Sequence, residues 1–300
     1  MQKPQFECVT IIGVGLLGAS LGLAIKKHGA APRIIGVGRA GSPSLPKALE
    51  IGAVDVATTD IVAGVRDSDL IVLAVNVGQF AALMQTMAPN LRNNVLVTDV
   101  GSTKQQVLKW ARQWLPDTAD FIGSHPMAGS EKRGPENARV DLYQDALCLI
   151  CPPKIRGRGA FTRQRVEAAM GKVEGFWQSV GMRTAPLDAR THDQWVALIS
   201  HIPHAVACMT ALVAGRTPEA GAAIAGGFVD ITRVAGGDPD MWADIFLTNR
   251  LEMNKNLHSA IQTLRKLQSA IRRSDVAAVK DFLKNAKQQR ELLLARRNAR

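Results

Sequence analysis

Aromatic side chains are scarce in this 300-residue sequence: Phe, Trp and Tyr supply 5% of it, and Tyr143 is the one tyrosine. Cysteine is scarce too. Four cysteines in a chain of this length make no disulfide framework, and a reducing compartment is the simplest setting. Cys148 and Cys151 have C-x-x-C spacing, but they lie in ALCLIC, a strand-like run in which positions three apart point to opposite faces. That placement argues against redox use. No cleavable leader is expected, because MQKPQFECVTIIGVGLLG runs from a strand-like segment straight into glycines without a small-residue cleavage site. The most apolar stretch, 196–213, reads VALISHIPHAVACMTALV. It is barely of spanning length and is interrupted by two histidines and a proline, so a buried helix is expected rather than a membrane span. These absences point to a cytoplasmic globular protein.

What is present is apolar and basic. Hydrophobic residues make up 46% of the chain, enough for one large domain or two ordinary ones. The formal charge of +11 invites a nucleic-acid reading, but its distribution argues otherwise. From Arg250 to Arg300 thirteen Lys/Arg face four Asp/Glu, so +9 sits in the last 51 residues. Leu257, Ile261, Leu264, Leu267 and Ile271 give that segment helical periodicity, with the bases on its polar side. A solvated helix face is the expectation, with a field that favours small anions next, and neither nucleic acid nor membrane is expected as a partner.

Short apolar runs alternate with helix-like segments in the first part of the chain. Strands are expected at 8–14, 33–38, 69–75, 94–100, 120–123, 146–151 and 182–187, and helices at 16–28, 79–88, 103–114 and 163–180. Continuous Val/Ile/Leu runs separated by helices imply a mainly parallel, doubly wound sheet covered on both faces. After Leu187 the strand signals stop, and helices are expected over 188–214, 217–235, 238–272 and 274–298. The chain therefore reads as an α/β domain of the Rossmann type at 1–187, followed by an all-helical domain at 188–300.

The first strand runs into Gly13, Val14, Gly15, Leu16, Leu17 and Gly18, which fit G-x-G-x-x-G. In such a loop the first glycine permits a tight turn and the second lets the backbone approach a pyrophosphate. The third lets the helix pack close to the strand, with its N-terminus facing the phosphates. An NAD-preferring chain usually places an acid about twenty residues on, for the ribose hydroxyls. From Ala19 to Leu49 this chain has none. It offers Arg33 and Arg39 with Ser42 and Ser44 near the second strand's end, which suits the 2′-phosphate of NADP better than the free hydroxyl of NAD.

Two further loops carry chemistry. TDVGSTK places Ser102 at the end of the fourth strand, where Ser102 and Gln105 also make an S-x-x-Q capping box. GSHPMAGSEKRG, at 123–134, offers no apolar face for a core strand or an amphipathic helix, so it reads as a working loop. Pro126 holds His125 extended, and His125 is brought with Ser102 toward the nicotinamide end of a cofactor. In SHIPH, His201 and His204 share a helical face, and Pro203 should bend that helix. A zinc site needs a third ligand at suitable spacing, and none offers itself, so no metal is expected. Arg233, set among apolar residues in DITRVAGGDPDMWADIF, needs a counter-charge: Asp230 or a substrate carboxylate.

GVGLLG, DVGSTK, HPMAGSEKRG, SHIPH and TRVAGGDPDMW, in that order, resemble the prephenate/arogenate dehydrogenase family of tyrosine biosynthesis, over about residues 8–260. The resemblance implies oxidative decarboxylation of prephenate or arogenate, giving 4-hydroxyphenylpyruvate or tyrosine, with hydride transfer to a nicotinamide cofactor. It assigns His125 as the base for the substrate's ring hydroxyl and Ser102 as the group bonding that hydroxyl and the histidine. Arg233 falls on the residue that grips a substrate carboxylate, while Ser130, Glu131, His201, His204 and Trp242 fall on pocket positions. It also implies a homodimer through the helices.

The chain departs from the family pattern at Arg39, where many members have an acid, and at Asn76, where a proline is frequent. No regulatory module is expected beyond the helices. Two alternatives stand beside this reading. One is another dehydrogenase with a Rossmann domain and a helical domain, acting on a β-hydroxyacid or imine; such enzymes typically use a helical-domain lysine or aspartate, which SHIPH does not supply. The other is a catalytically silent NADP sensor, for which Ser102, His125 and Arg233 would be superfluous.

Overall fold

The computed structural model describes residues 5–129, 132–154 and 162–298. Six strands, β1 (Cys8–Ile12), β2 (Arg33–Val37), β3 (Val56–Thr58), β4 (Leu70–Leu73), β5 (Leu96–Asp99) and β6 (Asp120–Phe121), form an all-parallel sheet in the order β3-β2-β1-β4-β5-β6. They are joined through α1 (Leu16–His28), α2 (Ser44–Glu50), α3 (Ile61–Val65), α4 (Phe80–Met87) and α5 (Gln105–Trp114). Alternate strand residues feed two separate cores. Ile11, Ile34, Leu70 and Val72 enter one, and Ile12, Ile35, Ile71 and Leu73 enter the other. That is why the strands read as unbroken apolar runs. The strand order reverses between β1 and β4, and such a switch point is where Rossmann-type folds bind their ligands.

β3 has no counterpart among the expected strands. It is three residues long and only partly buried, too short to show a period. The expected strand at 120–123 divides in two. After Phe121 the chain leaves the parallel sheet and continues as β7 (Gly123–Pro126) in a second sheet. There it pairs antiparallel with β8 (Leu147–Cys151), which pairs parallel with β9 (Arg183–Pro186), with α6 (Arg163–Ser179) between β8 and β9 in sequence. The cause is local. The amide of Ile122 still donates to Val97, but that of Ser124 donates to the Asp99 carboxylate at 3.0 Å instead of to a strand carbonyl. The expectation that 123–134 contains no core strand is therefore corrected: Gly123, Ser124 and Pro126 are buried. Their polar atoms are satisfied by a chain in which Trp177 Nε1 donates to Ser124 Oγ, Ser124 Oγ to Thr98 Oγ1, and Thr98 Oγ1 to the Ile122 carbonyl.

After β9 the described chain is helical: α7 (Ala189–Val196), a π-helical turn (Ala197–His201), α8 (Ile202–Ala214), α9 (Gly226–Thr232), α10 (Pro239–Thr248), α11 (Arg250–Arg272) and α12 (Val276–Asn298). Asp188 caps α7, accepting from the amides of Arg190 and Thr191, and Asp238 caps α10, accepting from the amide of Met241. The single helix expected over 238–272 breaks at the buried Asn249, whose backbone leaves helical values at φ −110°. The π turn lies just ahead of Pro203, whose missing N–H removes one bond from the helical ladder.

Compactness divides the chain into Met1–Arg250 and Leu251–Arg300. In the first unit α10 lies on the turn after β4, where Gly78 N donates to Asp244 Oδ2 at 3.0 Å. A Cβ at Gly78 would stand 2.5 Å from that carboxylate, so any other residue there would push the Asp244 side chain aside. The second unit consists of α11 and α12, which meet at Ser274 in the left-handed conformation.

The buried helix expected at 196–213 is buried on one face only. His201, His204 and Ala207 are inward, whereas Leu198, Ile199, Met209 and Leu212 are exposed. The stretch Ala189–Ala214 is long and apolar enough to cross a bilayer by length and composition, and only 28% of its most apolar window is buried.

Candidate active site

The glycine loop is built for a phosphate-bearing ligand. Gly13 adopts φ +100°, and a Cβ there would lie 2.5 Å from the Ala74 carbonyl oxygen. At Gly18 a Cβ would meet the Gly13 carbonyl oxygen at 1.9 Å, which fixes close helix–strand contact. Around Gly15, by contrast, nothing lies within 4 Å of a Cβ position. Gly15 is also the N-cap of α1 and supplies no capping side chain, so the first amides of a 13-residue helix are left for an incoming group. Leu16 is buried, and the Leu17 carbonyl accepts from Tyr143 at 2.9 Å, which anchors the loop from behind. These features fit a dinucleotide pyrophosphate.

Past β2 the chain turns, with Ser42 N donating to the Arg39 carbonyl and Gly41 at φ +74°. Arg39 is exposed and Ser42 is half-buried, its hydroxyl accepting from Ser44 N at 3.3 Å. Arg33 does not join them. It is the first residue of β2, at the opposite end of the strand from the glycine loop, which corrects its expected pairing with Arg39.

The second part of the site is a buried polar junction. From β7, His125 Nδ1 lies 2.8 Å from Nε2 of His192 on α7. His192 Nδ1 lies 2.8 Å from Asp193 Oδ1. Asp193 also accepts from Lys104 N at 2.8 Å and Gln105 N at 2.9 Å, and so caps α5 from another element. The capping box expected for Ser102 is therefore replaced. An ionised carboxylate is the stronger partner for a helix N-terminus, and Ser102 remains half-buried in the preceding loop. Asn249 Nδ2 donates to the Asp193 carbonyl at 2.8 Å and lies 3.3 Å from His201 Nδ1.

Beneath this junction Lys104 Nζ pairs with Asp99, both side chains being fully buried. Asp99 Oδ1 takes the Ser124 amide and Oδ2 takes the Gly101 amide at 2.8 Å. One carboxylate thus ties the loop that carries Ser102 to the strand that carries His125. Burial pushes the Asp99 carboxyl up, and the Lys104 ammonium with the two amides opposes that push.

Electrostatics keep the histidines neutral. Burial, followed by the nearby charges of His192, Lys104 and His201, holds His125 well below the ordinary histidine range. Burial lowers His192 as well, against the pull of Asp193. His201 is pushed down to about 4, chiefly by burial, and His204 is lowered by the same cause. Burial alone would raise Asp193, but the hydrogen bonds from His192, Gln105 and Lys104 outweigh it and hold the group low.

His204 stacks on Trp242 with ring centroids 3.6 Å apart, and the Trp242–His201 rings meet edge-on at 6.2 Å. The structure thus gathers His125, His201, His204 and Trp242 with the Ser102 loop in one unit. Arg233 is exposed at the start of a 3₁₀ turn, Arg233–Gly236, just ahead of α10. Ser130 and Glu131 lie outside the described residues. Beyond them, Arg133 pairs with Asp238 at 2.5 Å, which joins the loop after β7 to the α10 cap. Among the described residues no group of three His, Cys, Asp or Glu side chains is arranged to hold a metal. Cys148 and Cys151 are both buried, and burial pushes the Cys151 thiol up to about 12, so neither is a ready thiolate.

Four contributors went unread in the sequence: Asp99, Lys104, His192 and Asp193. Two of them lie in a segment already singled out, DVGSTK. The signal for the others was an adjacent His-Asp just after a helix start, both of which the structure buries.

Comparison with known proteins places these features in a family. The model described as the prephenate dehydrogenase nucleotide-binding domain matches residues 21–176, and that described as the prephenate dehydrogenase dimerization domain matches residues 188–288. The prephenate dehydrogenase of Bacillus subtilis is 31% identical over 290 residues, covering 95% of this chain and 76% of its own length. The cyclohexadienyl dehydrogenase of Zymomonas mobilis is 31% identical over 291 residues, covering 95% of each chain. The crystal structure of prephenate dehydrogenase from Aquifex aeolicus, in complex with hydroxyphenyl propionate and NAD+, matches with a TM-score of 0.83 at 29% identity, covering 96% of this chain and 98% of that one.

Proposed function

The chain belongs to the prephenate dehydrogenase family, and on that premise we propose that it oxidatively decarboxylates prephenate or arogenate in tyrosine biosynthesis, using NADP in preference to NAD. The observation that carries the proposal is His125, held neutral by burial within a junction of ordered polar groups. A neutral imidazole accepts a proton, and one depressed below 6.5 stays neutral throughout the cytoplasmic range.

In this reading His125 takes the proton of the substrate's ring hydroxyl as the carbinol carbon loses its hydride. The ring carboxylate then leaves as CO₂, its bonding electrons entering the ring. The resulting phenolate recovers the proton from His125, so no net proton is consumed. When bound, the nicotinamide accepts the hydride. Ser102 orients the hydroxyl, and Arg233 grips a carboxylate of the dianion with the bidentate geometry a guanidinium allows. His201, His204 and Trp242 shape the remaining pocket, the Trp242 stack on His204 holding that imidazole in one orientation.

Arg39, Ser42 and the absence of an acid from Ala19 to Leu49 support NADP. The Aquifex relative was solved with NAD+, so the preference is a property argued for this chain alone. We divide the chain functionally at 187/188, where strands give way to helices capped by Asp188, and assign the helical part to pairing with a second copy. Its family model is described as a dimerization domain, and the exposed face of α8 supplies apolar surface for it. Asp193, His192 and His201 lie within Ala189–Ala214 and are bound into the polar junction. Their cost in hydrocarbon favours a cytoplasmic dimer over a membrane span.

Replacing His125 by Asn tests the chemistry. Cofactor affinity is expected to hold while kcat falls roughly 10²–10⁴-fold, the usual range for a lost general base. Near-full activity would remove His125 from the mechanism. Measuring kcat/KM for prephenate and arogenate, each with NAD+ and NADP+, assigns the substrate and the cofactor in one experiment.

A further inference from the structure

We infer that His192 and Asp193 form a relay that fixes the His125 imidazole with its proton on Nδ1, leaving Nε2 as the base, and that steadies the positive charge His125 acquires. The inference rests on the reading of His125 as the base and adds two positioning residues to it. The hydrogen-bond chain allows one self-consistent assignment. Asp193 accepts two backbone amides and is ionised, so it has no proton to give. His192 Nδ1, 2.8 Å from Asp193 Oδ1, must therefore be the donor. A neutral His192 then presents a lone pair at Nε2. His125 Nδ1, 2.8 Å from that atom, must donate in turn. The reverse tautomer of His125 would set two lone pairs against each other in a buried site.

The relay moves no proton along its length. His192 keeps its hydrogen and passes on the influence of the Asp193 charge. When His125 gains a proton at Nε2, its Nδ1–H is already committed to an acceptor whose far side rests on a carboxylate. Both relay residues are themselves held: the α5 amides and Asn249 fix Asp193, and His192 is fully buried. A histidine between carboxylate and base lengthens the familiar Asp–His arrangement by one ring, which weakens the electrostatic share and leaves orientation as the larger part.

The test begins with the resting, full-length enzyme, ¹⁵N-labelled at its six histidines and studied without substrate. Long-range ¹H–¹⁵N correlation near neutral pH should show His125, identified by its loss in His125→Asn, protonated at Nδ1 and bare at Nε2. The opposite pattern overturns the relay, and this measurement stands even if a variant fails to fold. In His192→Leu, which offers no acceptor, His125 should pass to a mixture of tautomers. There kcat should fall roughly 10–100-fold, with KM for the substrate changed by less than about twofold. In His192→Gln the amide oxygen can accept the Nδ1–H, and part of kcat should return. An unchanged spectrum and kcat in His192→Leu, alongside an inactive His125→Asn, sinks the relay alone. An active His125→Asn sinks the base assignment, and the catalytic purpose of the relay with it.

Discussion

Every residue of β1 and β4 is buried, whereas on α8 and α11 Leu212 and Leu251 stand 74% and 75% exposed. The two regions use similar apolar residues to different ends. Strand residues find their partners within the chain, on both faces of one sheet. The helices keep apolar side chains such as Leu198, Ile199 and Leu212 outward. Polar groups run the other way. The charged pair Asp99–Lys104 and the imidazoles of His192, His201 and His204 are buried in the first unit, while the bases from Arg250 to Arg296, Arg273 apart, lie on helices whose described residues are mostly exposed. A region whose polar groups are inside must be rigid to satisfy them.

The sharpest break of this contrast is in the buried pair. Asp99→Ala leaves the Lys104 ammonium unpartnered and frees the amides of Ser124 and Gly101. Removing one member of a buried ion pair typically costs about 3–5 kcal/mol. Urea unfolding should therefore show a large fall in midpoint, and a change below about 1 kcal/mol would mean that Lys104 escapes to solvent.

The second test uses pH. His201 titrates near 6.5 when unfolded and near 4 when folded, so between those values the unfolded chain binds more protons. Stability is therefore full at neutral pH and drains as the pH falls from about 6.5 to 4, by about 3 kcal/mol for this one residue. His125, His192 and His204 are shifted in the same direction. Unfolding midpoints measured at pH 7, 5 and 4 should decline steeply, and His201→Gln should flatten the decline. An unchanged midpoint would show that the junction admits water and charge.

Arg39 tests a surface position of the first unit. A phosphate met by one guanidinium and one or two hydroxyls is worth about 1.5–3 kcal/mol, or roughly ten- to hundredfold in preference for NADP. Arg39→Asp should reverse the preference by removing attraction and adding repulsion. Equal affinity of the wild-type chain for NAD and NADP would make Arg39 a bystander.

The sheet was legible because burial on both faces writes itself as continuous Val/Ile/Leu runs, and the glycine loop because its spacing carries steric meaning. β3 was not, being too short for a period, and the departure of β7 from the parallel sheet depends on one side chain, Asp99, replacing a strand carbonyl. His125 and Ser102 stood out as polar residues at strand ends. His192 and Asp193 did not, because hydrogen bonds closed across 67 and 88 residues of separation leave no local pattern. The exposed face of α8 was misread as core, since an apolar residue at helical spacing looks the same whether its partner is this chain or another.

That ambiguity makes the smallest expected change in stability the most telling. Leu212 is exposed in the single chain, so Leu212→Asp should alter the stability of a lone subunit by no more than about 0.5 kcal/mol, as surface changes do. The same substitution in β4, Leu73→Asp, would bury an unpaired charge and prevent folding. If the α8 face is covered by a second copy, Leu212→Asp places a carboxylate in a desolvated contact, twice over in a two-fold dimer. Sedimentation at micromolar concentration should then show the wild-type chain as a dimer and the variant as a folded monomer, with its circular dichroism unchanged. A variant that stays dimeric would put the contact elsewhere on the helices and leave the α8 face without its assigned role.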